Sequence, residues 1–280
     1  MSQARVAGIR AGIQFKNQAP KKVACYGYSL CRCYKMLILG PLTFSLSTMK
    51  ILELELETAR LRELKDFYTH TLEFKLLEAS EQRFCLAVGA TRLCFKRAAT
   101  GQAGGYHFAF NIPYPQFEEA ASWLQERVTV LPDPQTKRPV VVHEEWQAKA
   151  VYLFDPEGNI VEYIAHETLP APAVNAPFEA AQVLSVCEIG LPVPQVPVFA
   201  AELKQKLQLR QWKTGNARFE AVGDVHGMFI LAEENRPWFP TGQGAKVLPT
   251  RVLIQTDGAE GISHGCYQIM QPKAVRLQAR

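Results

Sequence analysis

A strand, a short turn and an amphipathic helix recur three times along this 280-residue chain, and a repeated supersecondary unit constrains a fold more than any single motif. The strands Glu53-Leu54-Glu55-Leu56-Glu57, His107-Phe108-Ala109-Phe110-Asn111 and Glu188-Ile189-Gly190-Leu191-Pro192 alternate. Each therefore sends apolar side chains to one face and a different set to the other. That second set opens with Glu, His and Glu. After each strand, apolar residues fall at i, i+3, i+7 and i+11: Leu61, Leu64, Tyr68 and Leu72, then Phe117, Ala120, Leu124 and Val128, then Val196, Phe199, Leu203 and Leu207. This spacing draws one stripe along a helix lying on a sheet. Pro115 and Pro197 suit early helix positions, where a missing N–H costs nothing.

Strand-like runs complete each copy. In the first, residues 74–78, 83–88 and 91–95 follow the helix, the last two joined by Gly89-Ala90 as a hairpin. In the second, residues 151–154 and 160–165 flank Asp155-Pro156-Glu157-Gly158-Asn159, whose Pro and Gly fit a type I turn. The third supplies 208–213, 219–222 and 228–232. The pattern predicts an α+β fold of repeated βαβββ modules, two of them paired into a curved, mainly antiparallel sheet cup, plus a third module. The expected boundaries are paired modules at 49–168, a stiff Pro/Ala linker at 169–181, a third module at 182–256, and an uninformative tail at 257–280.

Charge narrows the partners. Residues 1–48 hold seven bases (Arg5, Arg10, Lys16, Lys21, Lys22, Arg32, Lys35) and no acid, so the 31 bases and 27 acids of the chain leave the remainder slightly acidic. Without a basic stripe, nucleic acid is not an expected partner. No apolar run reaches the roughly 18 residues of a membrane span. The leader has the base-rich, acid-free character of a transit peptide but lacks its amphipathic helix. Met49 directly precedes the first patterned strand, which suggests an upstream mis-start and a poorly ordered segment 1–48. Seven cysteines are an odd number; Cys85 and Cys94 read as small buried hydrophobes, which favours a reducing, cytoplasmic setting. Cys31 and Cys33 lack the second pair of a zinc site.

Glu53, Glu55 and Glu57 share one strand face, either as a solvated surface or as part of a site. The stretch from Ile51-Leu52-Glu53 to Phe67-Tyr68, the strand opening at His107, and the segment Tyr152-x-x-Asp155-Pro156-Glu157-Gly158-Asn159-x-x-Glu162 together resemble the vicinal oxygen chelate superfamily. That superfamily includes glyoxalase I, extradiol dioxygenases, fosfomycin-resistance enzymes and bleomycin-binding proteins. The resemblance covers about residues 49–167, and 182–232 resemble a third, degenerate module. It implies metal ligands on the inner wall of the cup at Glu53, His107 and Glu162. The fourth ligand position of glyoxalase I falls on the strand Thr91-Arg92-Leu93-Cys94-Phe95-Lys96, which has no carboxylate. One imidazole with two carboxylates suits a divalent metal ion such as Fe(II), Mn(II) or Zn(II) and leaves coordination positions open.

His143 is a candidate proton carrier because its ordinary pKa lies near neutrality. Glu55 is a second, as base or as a hydrogen-bond partner to a ligand. Glu188 holds the ligand position of the third copy but lacks a following His and Glu, and is not expected to bind metal. His226 and the run 235–240 are read as an edge of the site or a subunit contact, and His70 and His166 as surface residues. The resulting expectation is a metal-dependent dioxygenase or lyase acting on a small-molecule substrate with vicinal oxygens, possible as a homodimer. The alternative is a metal-free sequestration protein resembling the bleomycin-binding members.

Overall fold

A computed structural model describes residues 48–99, 103–170, 176–258 and 260–272. The expectations for segment 1–48, including Cys31 and Cys33, lie outside the described residues, as does part of the Pro/Ala linker. Unit one comprises β1 (Lys50–Thr58), α1 (Leu61–Asp66, continued by a π-helical turn Phe67–Thr71), β2 (Lys75–Ala79), β3 (Arg83–Val88) and β4 (Thr91–Arg97). Unit two comprises β5 (His107–Asn111), α2 (Phe117–Gln125), β6 (Val130–Leu131), β7 (Val141–His143), β8 (Ala148–Phe154) and β9 (Ile160–His166). Unit three comprises β10 (Ser185–Val193), α3 (Val196–Leu207), β11 (Gln211–Asn216), β12 (Phe219–Asp224) and β13 (Gly227–Glu233). The chain then adds β14 (Thr250–Gln255), β15 (Ile262–His264) and β16 (Tyr267–Met270).

The helical stripes explain the layering. Leu64, Tyr68, Leu72, Leu124, Phe199, Leu203 and Leu207 are all fully or almost fully buried, and they share one core with Leu54, Leu56, Phe108, Phe110, Ile189 and Leu191 from the strands. The strand faces that carry Glu53, His107 and Glu188 point away from that core. Among the described residues, no helix is long and apolar enough to cross a membrane.

The sheets are mixed and mainly antiparallel, but their composition corrects the expected pairing. One has the order β15-β16-β14-β1-β4-β3-β2; the other has β11-β12-β13-β10-β5-β9-β8-β6, with β7 also on β8. Unit two is therefore paired with unit three, not with unit one. Unit one is paired with the region after residue 249, whose described residues form no helix and act as a fourth unit in which β14 and β16 run parallel, as β1 and β4 do. In each sheet the two central strands are antiparallel and one carries a bulge, between Ile51 and Glu53 in β1 and between Val186 and Glu188 in β10. A bulge re-aims the side chain that follows it, so Glu53 and Glu188 are structural equivalents.

Cys85 and Cys94 are joined in a disulfide across the β3–β4 hairpin. This corrects their reading as free thiols and removes the ground for inferring a reducing compartment. Peptide mapping without reductant is expected to recover the fragments carrying Cys85 and Cys94 linked to each other, and with reductant to separate them. Recovery of two independent fragments in unreduced protein would exclude the bond.

Candidate metal site

The second sheet gathers three ligating side chains from three strands. In β5 and β9, Ala109 is paired with Glu162, and in β5 and β10 it is paired with Glu188. His107 lies two residues before Ala109 on the same face. Ligand atoms of His107, Glu162 and Glu188 consequently lie within 4.8 Å of one another, and all three residues are buried. His107 Nε2 is 3.6 Å from Glu162 Oε2 and 3.9 Å from Glu188 Oε2.

The hydrogen bonds around the three are one-sided. His107 Nδ1 faces the carbonyl of Ile160 at 3.3 Å, which assigns the ring proton to Nδ1 and leaves the Nε2 lone pair facing the two carboxylates. Tyr152 donates to Glu162 Oε1 at 2.7 Å, while Glu188 Oε1 is buried without a hydrogen-bond partner. Three electron-pair donors thus converge, with no cation of the described residues between them. Burial pushes Glu162 up to about 8, against the pull of the Tyr152 hydrogen bond. Burial and then the neighbouring Glu162 raise Glu188 well above the usual carboxylate range. Burial lowers His107 to about 4, partly opposed by the Ile160 carbonyl. A divalent ion satisfies all three groups at once, and this donor set fits one.

A cavity of about 210 Å³ opens onto the triad. Tyr152 and His143, the apolar Trp146, Ile164, Phe219, Ile230, Trp238 and Phe239, and Arg236 line the rest of it. His143 Nε2 lies 2.9 Å from Tyr152 Oη. Because Tyr152 gives its proton to Glu162, His143 Nε2–H donates to Tyr152. Burial lowers the His143 pKa, opposed by Asp133, so the ring is neutral near pH 7. Ile230 pairs with Gly190 as Glu162 pairs with Ala109, and it stands where a fourth ligand would stand. Gly190 is required by close approach, since a Cβ there would lie 2.9 Å from the Trp238 ring.

Glu53 does not join His107 and Glu162. It lies in the first sheet, 3.6 Å from each of Arg83, Arg92 and Arg251. Leu253 faces Glu53 as Ala109 faces Glu188, so Arg251 occupies the position equivalent to His107. A guanidinium stands where the second sheet has an imidazole, and the carboxylate is neutralised internally. Glu55 is likewise held there by Arg83 at 3.1 Å and Lys96 at 3.8 Å, remote from the proton-carrier role expected of it. The signal for Glu188 was its alternation position, identical to that of Glu53; no His and Glu follow it in its own unit, and unit two supplies them from the strands beside it. His166 is fully buried beside Trp146 and Trp212 and is not a surface residue. Trp238 and Phe239 form the cavity edge, whereas His226 lies outside that cavity in the turn between β12 and β13.

No protein-family profile matches the sequence, and no curated protein matches it. Among solved structures, a candidate dioxygenase from Bacillus subtilis subsp. subtilis str. 168 is similar over 81% of this chain and 86% of its own, at 14% identity and a TM-score of 0.52. Glyoxalase I from Zea mays matches 75% of each chain at 14% identity, with a TM-score of 0.44. A glyoxalase/bleomycin resistance protein/dioxygenase from Nocardioides covers 45% of this chain and 89% of its own, at 21% identity and a TM-score of 0.35. The repeated βαβββ-like units, their two mixed sheets and the Bacillus likeness together identify the fold of this chain as that of the vicinal oxygen chelate superfamily.

Proposed function

We propose that the chain is a metal-dependent enzyme that binds a small molecule through two adjacent oxygens, a dioxygenase- or lyase-like activity centred on His107, Glu162 and Glu188. The observation that carries this reading is the inward-facing triad itself. A buried imidazole lone pair and two buried carboxyl groups face one another with no cation of the described residues between them, and Glu188 Oε1 has no hydrogen-bond partner among those residues. A bound divalent ion would supply Lewis acidity toward the two substrate oxygens. The protein positions the rest. Tyr152 fixes the orientation of Glu162 through its 2.7 Å hydrogen bond. Ile230, in place of a fourth ligand, leaves the cavity side of the site open to substrate. His143, neutral and lining the cavity, accepts a proton from the bound molecule and is steadied by Tyr152.

Elemental analysis of the purified chain is expected to give about one Fe, Mn or Zn per molecule, removable by chelation. A metal-free wild type that takes up none of these ions and still binds small molecules in the cavity would overturn this reading in favour of sequestration. A His143→Gln variant is expected to retain its metal and lose roughly 10²-fold or more in turnover, the usual scale for a general base. An unchanged pH–rate profile in that variant would remove His143 from proton transfer.

A further inference from the structure

The walls of the cavity say more about its occupant than the metal site does. Beyond the triad they are formed chiefly by Trp146, Phe219, Trp238 and Phe239 with Ile164 and Ile230. Planar rings on several sides favour a flat, unsaturated ligand. The volume of about 210 Å³ exceeds the roughly 150 Å³ of a cavity that holds benzene, and it accommodates one ring with small substituents.

Arg236 is the exception among these walls. Its guanidinium lies 4.6 Å from the centre of the Phe219 ring, and its hydrogen bond is a long one, 3.4 Å to the Pro237 carbonyl. Among the described residues, no carboxylate lies within ion-pair distance of it. The nearby Arg218 already has a partner in Glu233, while burial and that same Arg218 both disfavour charge on Arg236. Its backbone is nonetheless held firmly. Arg236 N–H donates to the Glu233 carbonyl at 3.0 Å, and its own carbonyl accepts from Ala245 at 2.9 Å. A half-exposed guanidinium at the wall of an aromatic-lined cavity, without a carboxylate partner among the described residues, has donors open to an incoming anion. When a divalent ion neutralises Glu162 and Glu188, Arg236 is left as the one uncompensated charge among the described residues that line the cavity.

From this we infer that the substrate is a carboxylate-bearing, single-ring molecule. Its two adjacent oxygens face the triad, its ring lies between the aromatic walls, and its carboxylate is received by Arg236. The inference rests on the metal-centred reading for the placement of the vicinal oxygens, but the anion contact stands on Arg236 alone.

The two parts separate in a binding experiment. The probes are 3,4-dihydroxybenzoate and the uncharged 1,2-dihydroxybenzene, titrated by quenching of tryptophan fluorescence and by calorimetry against metal-loaded and chelated protein. Wild type is expected to bind the carboxylated probe about tenfold or more tightly than the neutral one, the scale of a charged hydrogen bond. Arg236→Gln should abolish that preference, leave the neutral probe within about twofold, and leave metal content unchanged; Arg236→Lys should keep part of the preference. Equal binding of the two probes by wild type, or a preference that survives Arg236→Gln, overturns the inference. Chelated protein that never takes up metal yet shows an Arg236-dependent preference would sustain the anion site while overturning the metal-centred reading.

Discussion

Asn159→Ala is expected to destabilise the chain by about 3 kcal/mol, the scale for removing several hydrogen bonds in a buried network. Asn159 is fully buried. Its Oδ1 accepts the backbone N–H groups of Gly105 and Tyr106, each at 3.0 Å, and its Nδ2 donates to Asp155 Oδ2 at 2.8 Å. Alanine would strand two buried donors just before β5. The same turn reaches unit one, because Tyr68 donates to Asp155 Oδ2 at 2.9 Å, Thr58 donates to Glu157, and Arg60 N–H donates to Glu157 at 2.9 Å. Gly158 supports it with a φ of +83° that other residues adopt at a cost. The Asp-Pro-Glu-Gly-Asn turn is thus a clasp between the two sheets, placed directly before the strand that carries Glu162. Asn159→Asp should be at least as damaging, since it sets a second carboxylate against Asp155. Denaturant midpoints at unchanged m-value would measure both. A shift of less than about 0.5 kcal/mol for Asn159→Ala, the range of ordinary surface changes, would show that the clasp is not structural.

The repeat, the helical stripes and the two hairpins were legible because each rests on local periodicity. Phe117, Leu203 and Tyr68 are buried because of where they fall on a helix, whatever that helix packs against. Partner choice between units was not legible, since alternation says which face of a strand is inward and not which strand lies beside it. Glu53 and Glu188 illustrate this. They share residue type, strand position and a preceding bulge, and they differ in what the other strands bring, Arg251, Arg92 and Arg83 in one sheet and His107 and Glu162 in the other. The partner of unit one was less legible because its described residues form no helix, and β14 alone gives no stripe. The Cys85–Cys94 pair was readable in principle. A two-residue turn at Gly89-Ala90 aligns Val88 with Thr91 and therefore Cys85 with Cys94.

Removing any one of the three ligands, as His107→Ala, Glu162→Ala or Glu188→Ala, is expected to weaken divalent-metal binding by about 100-fold or more, beyond the 10–100-fold typical of losing an outer partner. Glu53→Ala should leave it within about twofold. Retention of metal by Glu188→Ala together with its loss in Glu53→Ala would reverse the assignment of the site. Stability of the chelated protein gives an independent reading through pH. Glu162 and Glu188 hold protons in the folded chain well above the unfolded value of 4.5, Glu162 to about 8, so folding binds protons in that window and stability falls as pH rises. His107, lowered to about 4 from 6.5, acts in the opposite sense below about 6.5, where the folded chain binds fewer protons than the unfolded one. Asp155, raised to about 6, and the unfolded forms of His107, His143 and His166, whose folded pKa values are all lowered, have largely titrated by about pH 7.5. The interval from about 7.5 to 8 therefore reports mainly on the carboxylates. There the metal-free chain is expected to lose about 1.4 kcal/mol per pH unit for each proton released. Glu162→Gln should shallow that slope, and a divalent ion should abolish it by replacing the proton as the counter-charge, so that the stabilisation from metal is larger at about pH 8 than at about pH 7.5. Chelated wild type whose stability is flat or rising across this interval would mean that the two carboxylates are already neutralised by something other than a metal.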